Sequence, residues 1–346
     1  MAPVVDFDMD IAGTELAGGV GGILFLGNAA PPADLAAKIR YREMASRADP
    51  APLVMADEEG GGVQRLAGAV PPMPWARLLA ATTSPAGARA LAASVGRQMR
   101  LLGVNVDLAP VLDVDGRAGP SPKNPDGLRS FSPSPAVAGR YGIAMLQGLR
   151  AGGVMPVVKH FPGLGGSQTN TDYGSAATLP IATLRTGGLL PFEAAIAAGA
   201  PSVMISNAMV PGLTSQPASL SSAVIDGLLR NQLGFTGLVM TDSLSAAAIS
   251  QAGYSLETAA VDSIAAGSDM VLWGAVPAPS PTPSPVGRPV ANTVSRLDTA
   301  IVEAVRSGRL PVERLDDAVA HVLAAKDVHL CPSPRQAHEG LAGAAE

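Results

Sequence analysis

The sequence predicts an α/β fold, a single-domain (β/α)8 barrel of the TIM type. Two observations support this prediction. Apolar runs of strand length recur along the chain, and stretches rich in Ala and Leu with helical character lie between most of them. Near-continuous apolar strands that alternate with helices indicate a parallel sheet covered on both faces. Eight such units favour a closed barrel over an open sheet.

The predicted strands are the apolar runs at 3–8, 21–27, 52–57, 104–110, 155–161, 201–207, 237–242 and 268–273. Helical patterns occupy 32–47, 87–103, 191–199 and 312–326, the last of them clearly amphipathic. The Pro- and Ser-rich stretch 274–290 predicts a mobile extended loop after the eighth strand, and 331–346 a flexible C-terminal tail. We therefore expect one barrel domain over 1–330, followed by the tail at 331–346.

Composition excludes several classes of protein. A net charge of −5 without a basic run argues against a nucleic-acid partner. The single cysteine, Cys331, excludes an internal disulfide and a cluster of thiolates for zinc. No signal peptide and no membrane span is visible, so we expect a cytoplasmic protein, although an earlier-removed leader would leave no trace here.

Polar side chains stand at or just after the ends of several predicted strands. They are Asp57, Asp113, Lys159 with His160, Asn207 and Asp242. Barrel enzymes build their sites on this face because strand ends from different units converge there. For any one position, capping of the next helix is an equally good explanation. The five together favour a site.

Two of these positions carry the most suggestive chemistry. Asp242 ends the run "GLVMTD", where a carboxylate can attack an electrophilic carbon or cap the following helix. Lys159 can form a Schiff base, as in a lyase, or donate hydrogen bonds to a substrate hydroxyl. The adjacent His160 can face the site or lie satisfied in the core.

Two loops add charged groups. The stretch "MADEEGGGVQRL" (55–66) offers Asp57, Glu58 and Glu59, and its glycines let the backbone pass close to a ligand. It is not a phosphate loop, since no GK[ST] follows. The stretch "NPDGLRSFSPSP" (124–135) carries Arg129, whose guanidinium can clamp a carbonyl-bearing substituent.

Taken together, these pieces resemble glycoside hydrolase family 3, specifically the single-domain bacterial β-N-acetylhexosaminidases of cell-wall recycling. The resemblance spans almost the whole predicted barrel, in matching order and spacing. It rests on "APVVDFD", "GGILFLGN", "DEEGGGVQRL", "DLAPVLDVD", "LRSF", "KHFPG", "PFEAAIAAGAPSVM", "PAS", "LGFTGLVMTDSLS" and "AAGSDMVL".

The resemblance implies a retaining mechanism in which Asp242 is the nucleophile and forms a covalent glycosyl intermediate. It further implies groups that hold the hydroxyls and the N-acetyl side of the sugar, namely Asp57, Arg65, Arg129, Lys159 and His160. It implies no metal and no organic cofactor, a small carbohydrate as the partner, and a monomer.

The sequence also departs from the family's pattern. The family reads "KHFPGHG" followed by "DSH", whose His is the acid/base, whereas here Leu164 replaces the first His and Asn170-Thr171-Asp172 stands in place of "DSH". In addition, Gly62 stands where Arg is common, and Asn207 where His is frequent.

These departures leave alternatives for the chemistry. In the first, Asp172 is the acid/base, with its pKa raised by burial and with Asn170 donating a hydrogen bond to it. Glu58 or Glu59 is a less favoured acid. In the second, acid catalysis is lost and the protein binds a sugar or muropeptide. In the third, phosphate is the acceptor, as in a glycoside phosphorylase. We favour the active hydrolase, because the nucleophile and all the sugar-holding groups are present.

Overall fold

The computed structural model describes residues 1–46, 49–274 and 290–328. Within these residues, seven strands form one parallel sheet in which consecutive strands are neighbours. They are β1 (Ala2–Val5), β2 (Gly22–Leu26), β3 (Leu53–Ala56), β6 (Val106–Asp107), β7 (Met155–Phe161), β8 (Ser202–Ile205) and β9 (Leu238–Thr241). A separate antiparallel hairpin pairs β4 (Glu58–Gly60) with β5 (Val63–Gln64).

The eighth predicted strand, 268–273, contributes only an isolated parallel bridge between Met270 and Met240. The reason is local. The backbone N–H of Leu272 donates to the hydroxyl of Thr241, at 3.0 Å, so a side chain takes the place of the next ladder bond. On the other side, the amino group of Met1 donates to the carbonyl of Val271, at 2.8 Å. This segment therefore lies between β9 and β1 and completes the ring.

Helices cover the outside of the sheet. They are α1 (Met9–Ala17), α2 (Leu35–Ser46), α3 (Ala76–Thr82), α4 (Pro85–Leu102), α5 (Pro135–Ala151), α6 (Ile181–Arg185), α7 (Leu190–Ala197), α8 (Ala247–Gln251), α9 (Leu256–Ala265), α10 (Val290–Arg306) and α11 (Val312–Ala325), with a π-helical segment at Ala223–Gln232. The four predicted helices correspond to α2, α4, α7 and α11. In the described residues, no helix is both long and apolar enough to cross a membrane.

Helix α4 shows how local sequence sets these bounds. The hydroxyl of Ser84 accepts the N–H of Gly87, at 3.2 Å, and Pro85 occupies the first turn, where no N–H is needed. At the other end, Gly103 takes a left-handed conformation with φ +90°, which terminates the helix at low steric cost.

Alternating strand residues divide the core into two layers. Those pointing outward pack beneath the helices, among them Ile23, Phe25 and Val54. Those pointing inward fill the barrel, including Leu24, Met55, Val157, Met204 and Met240. The α/β barrel prediction is thus confirmed, with a weaker eighth strand than expected. The predicted loop, apart from residues 274 and 290, and the predicted tail lie outside the described residues.

Candidate active site

A cavity of about 230 Å³ opens at the carboxyl ends of the barrel strands. Apolar side chains of the barrel interior form part of its wall, among them Leu24, Leu108 and Met204. All seven site residues predicted from the sequence line this one cavity: Asp57, Arg65, Arg129, Lys159, His160, Asp172 and Asp242. The structure therefore brings the predicted set together, and their roles in a reaction remain predictions.

The end of β7 places two adjacent residues in the cavity. In a regular strand Lys159 and His160 would point to opposite faces. Here the pairing of β7 with β8 loses its register between Val158 and Phe161. Both side chains consequently face the cavity.

The β4–β5 hairpin carries further charged groups to the cavity wall. Gly61 has φ +61°, and a Cβ there would lie 2.0 Å from the ring of Trp75, so only glycine fits. A Cβ at Gly62 would also contact this ring, at 2.8 Å. Beyond the hairpin, Arg65 is anchored by a hydrogen bond from its Nη1 to the carbonyl of Gly27, at 3.0 Å.

Four charged side chains on the cavity wall form a chain of ion pairs, which we call the ion-pair cluster: Asp57, Glu59, Arg129 and Lys159. The ammonium of Lys159 lies 2.6 Å from carboxylate oxygens of both Asp57 and Glu59. The guanidinium of Arg129 donates to both oxygens of Glu59, at 2.8 and 2.9 Å. Glu59 therefore joins the two cations that the sequence predicts to hold the sugar.

The charges in this cluster fix its protonation states. Burial alone would lower the pKa of Lys159, but Asp57 and Glu59 outweigh burial and raise it. Likewise, burial would raise the pKa of Glu59, yet Arg129 and Lys159 lower it well below its usual value. A permanently charged lysine is a poor Schiff-base nucleophile, and a permanently ionised Glu59 cannot donate a proton. The cluster argues against both of those alternatives.

The side chain of Glu58, the other candidate acid on the hairpin, points away from the cavity. It does not line the cavity, and its carboxyl group accepts hydrogen bonds from the backbone N–H of Leu66 and, at 3.4 Å, from the amide of Gln64. Burial raises the pKa of Glu58 to about 7. Its position rules it out as the proton donor.

A buried carboxylate, Asp113, orients His160. It accepts a hydrogen bond from the backbone N–H of Leu164 at 2.6 Å and the backbone N–H of His160 at 3.2 Å. The ring Nδ1 of His160 also lies 2.6 Å from Asp113, so Nδ1 carries the hydrogen. The other ring nitrogen, Nε2, is 3.4 Å from Arg129, which can only donate. Burial, followed by the charge of Arg129, lowers the pKa of His160 to about 4. His160 is therefore neutral, with Nε2 as an acceptor.

Asp242 follows β9 directly. Its Oδ1 accepts the backbone N–H of Ser243 at 2.7 Å, whereas the next helix, α8, begins only after Ala246. Asp242 does not cap that helix. The peptide beyond it is held by Asn207, whose amide donates to the carbonyl of Ser243 at 2.7 Å. Burial raises the pKa of Asp242, and the proximity of His160 opposes this rise.

Asp172 lies on the segment after β7, residues 163–174, which we call the acid loop. Part of the residue is exposed, but its carboxyl group lines the cavity, where burial raises its pKa and Arg129 opposes that rise. Among the described residues, no cation lies within ion-pair distance of Asp172. The expected donation from Asn170 to this carboxylate is wrong: within the described part of the chain no hydrogen bond joins the two side chains, and the Oδ1 of Asn170 accepts the backbone N–H of Asp172, at 2.9 Å. Leu164 packs against Ala176 and Ala208.

The sequence alone did not identify the groups that hold the predicted site residues in place. The sequence marks Asp113 only as a residue at a predicted strand end, Asn207 as such a residue and as a departure from the family's pattern, and Glu59 only as a less favoured acid. Their partners lie far away in the chain, so no local pattern identifies them. The only usable signal is that each is a charged or amide group placed beside a predicted strand end.

Comparisons with known proteins agree with this architecture. The model of the glycosyl hydrolase family 3 N-terminal domain matches residues 7–325. The β-hexosaminidase LpqI of Mycobacterium tuberculosis is 36% identical over 296 residues, which cover 82% of this chain and 70% of that protein.

Solved structures resemble the chain as well. A glycosyl hydrolase of family GH3 from Mycobacterium smegmatis superposes with a TM-score of 0.80 at 34% identity, covering 94% of this chain and 93% of that one. A family 3 β-N-acetylglucosaminidase from Paenibacillus sp. superposes with a TM-score of 0.83 at 31% identity, covering 96% of this chain and 62% of that one.

Proposed function

The chain belongs to glycosyl hydrolase family 3 and is a glycoside hydrolase, and we propose that it removes terminal β-linked N-acetylglucosamine with retention of configuration. The relatives named as hexosaminidases support this choice of sugar. The substrate class is a small glycoside or muropeptide that contains N-acetylglucosamine, or a related β-glycoside. A single barrel domain over 1–330, a monomer and a cytoplasmic location also remain predictions.

In the proposed first step, the carboxylate of Asp242 attacks the anomeric carbon while Asp172 gives its proton to the departing glycosidic oxygen. In the second step, Asp172 takes a proton from water, whose oxygen attacks the same carbon and releases Asp242. Asp57, Arg65, Arg129, Lys159 and His160 hold the sugar in both steps. Neutral His160 and the ion-pair cluster supply an acceptor and fixed donors for its hydroxyl and N-acetyl groups.

One observation carries the assignment of Asp172. It is a carboxyl group on the cavity wall that shares the cavity with Asp242, has a raised pKa, and has no ion-pair partner among the described residues. A proton donor needs these properties, because a carboxyl group locked to a cation stays ionised. Glu59 lines the same cavity but has the opposite properties, because Arg129 and Lys159 pair with it and lower its pKa.

The test is release of nitrophenol from 4-nitrophenyl N-acetyl-β-glucosaminide and from the matching β-glucoside, each with and without phosphate. We expect turnover of the first substrate, and Asp242→Asn should reduce kcat/KM by roughly 10⁴- to 10⁶-fold while leaving sugar binding intact. Asp34→Asn, at an exposed carboxylate paired with Lys38 before α2, is the control.

Three outcomes would contradict the proposal. Acceleration by phosphate would indicate a phosphorylase. Full activity of Asp242→Asn would remove the nucleophile from the mechanism. Binding of the sugar by the folded protein without turnover of either substrate would identify a sugar-binding protein.

A further inference from the structure

Another carboxyl group, that of Asp126, lies against Asp113 behind His160. Asp126 is fully buried, and within the part of the chain described, no N–H or O–H group donates to either of its oxygens. One carboxyl oxygen from each aspartate and one ring nitrogen of His160 lie within 4.8 Å of one another. Two buried carboxylates this close cannot both be ionised without a large electrostatic cost. One of the two must therefore hold a proton.

The hydrogen bonds decide which one. Asp113 accepts the Nδ1–H of His160 at 2.6 Å and the backbone N–H of Leu164 at 2.6 Å, and it also accepts the backbone N–H of His160. These donors favour its ionised form. Asp126 receives no such donor, so the proton belongs on Asp126, where it can be donated to Asp113. The pKa of Asp126 is raised, first by burial and then by Asp113, against the opposing charge of Arg129.

A metal ion is a less suitable occupant of the same cluster. The ring Nδ1 of His160 already donates to Asp113, and a metal would have to displace that hydrogen. The guanidinium of Arg129, 3.4 Å from the other ring nitrogen, would also repel a cation. A proton on Asp126, donated to Asp113, neutralises one of the two carboxylates and leaves the hydrogen on Nδ1 of His160 in place.

We propose that Asp126 is a positioning residue that stays protonated in the working enzyme and holds Asp113, and through it His160, in the orientation that directs Nε2 at the substrate. What His160 does for the substrate rests on the function proposed above. Asp126 also fixes the neighbouring cation by its backbone, because its carbonyl accepts the N–H of Arg129 at 2.9 Å. One residue thus connects two of the groups that hold the sugar.

Kinetics of two variants test the role of this hydrogen bond. In Asp126→Asn the side-chain amide can still donate to Asp113, so we expect kcat/KM for 4-nitrophenyl N-acetyl-β-glucosaminide within about threefold of wild type. In Asp126→Ala the donor is lost, and we expect a fall of about 10- to 100-fold, as for other residues that orient a functional histidine. Equal losses in both variants would overturn the proposal.

Infrared spectroscopy tests the proton directly and needs no activity. At neutral pH the wild type should show the C=O stretch of a buried protonated carboxyl group, and Asp126→Asn should lack it. The difference spectrum separates this band from those of other buried acids with raised pKa, such as Asp107. Absence of the band from the difference spectrum between wild type and Asp126→Asn would overturn the proposal, even if Asp126→Ala fails to fold.

The two proposals can fail separately. If the wild type turns over no glycoside, the proposed function is wrong, and the infrared band still decides the state of Asp126. If the wild type is active and the band is absent, the glycosidase assignment stands and the role of Asp126 does not.

Discussion

The ion-pair cluster and the acid loop line the same cavity but are held in different ways. In the cluster, Glu59 bonds to Arg129 and Lys159 at 2.6 to 2.9 Å, and each charge is balanced by an opposite one. On the acid loop, Asp172 has no ion pair in the described residues, and the side-chain oxygen of Asn170 accepts only its backbone N–H, at 2.9 Å. Ion pairs hold the first region in place, whereas hydrogen bonds within a turn hold the second.

The difference fits the two chemical tasks proposed for these regions. Groups that hold a substrate work best when their protonation and geometry do not change, and paired buried charges provide this. A proton donor must gain and lose its proton in each cycle, so a permanent cationic partner would impair it. The loop is nevertheless anchored just before Asp172, because Asn170 donates its N–H to the carbonyl of Pro122 and the carbonyl of Thr171 accepts the N–H of Ala248 in α8.

The largest effect that would sharpen this comparison is expected at Asp172. Asp172→Asn should reduce kcat/KM by about 10²- to 10⁴-fold for a disaccharide with a poor leaving group, and much less for a nitrophenyl glycoside. Because burial raises the pKa of Asp172, activity should be present while it is protonated and fall as pH rises through that raised value. In Asp172→Asn, the fall of kcat/KM at alkaline pH should be absent.

The measurement is a pH profile of kcat/KM for both substrates. Equal losses for the good and the poor leaving group would contradict a role as acid, since only the poor leaving group depends on protonation.

The next effect is expected at Glu59, on stability as well as binding. Glu59→Gln leaves the buried cations Arg129 and Lys159 undercompensated, and breaking a buried ion pair costs about 3–5 kcal/mol. We expect a lower Tm and a raised KM. The matched control is Glu257→Gln, which removes an exposed pair with Arg296 and should cost less than about 1 kcal/mol.

Both unfolding free energies are measured by denaturant titration. If Glu59→Gln were as stable as the control variant, charge would not hold the ion-pair cluster in place. The contrast drawn between the cluster and the acid loop would then be wrong.

The smallest effect is expected at Asn170. Asn170→Ala removes the acceptor for the N–H of Asp172, and the loss of one such hydrogen bond is worth about 0.5–1.5 kcal/mol. We expect kcat/KM to fall by up to about tenfold with little change in Tm, and Asn170→Ser, which keeps an acceptor, to fall less. A loss as large as that of Asp172→Asn would instead place Asn170 in the chemistry.

Much of this arrangement could be predicted from the sequence. Apolar runs of strand length mark seven paired strands, because burial on both faces of a parallel sheet requires such runs. The eighth run does not form a regular strand, because the backbone N–H of Leu272 bonds to the side chain of Thr241 and not to a neighbouring strand's backbone. No local sequence pattern indicates this alternative bond. The seven predicted site residues reach one cavity, because parallel strands carry their ends to the same face of a barrel.

By itself, the sequence determined the barrel, the face that carries the site, and the types of charged group placed there. Tertiary structure alone decided which charges meet: Lys159 contacts Asp57 across 102 residues of chain, and Asp113 meets both His160 and Asp126 in the interior. The physical reason is that electrostatic and hydrogen-bond energies depend on distances of a few ångströms. Such distances exist only once the ring of strands has closed, whereas hydrophobic periodicity is already present in the unfolded chain.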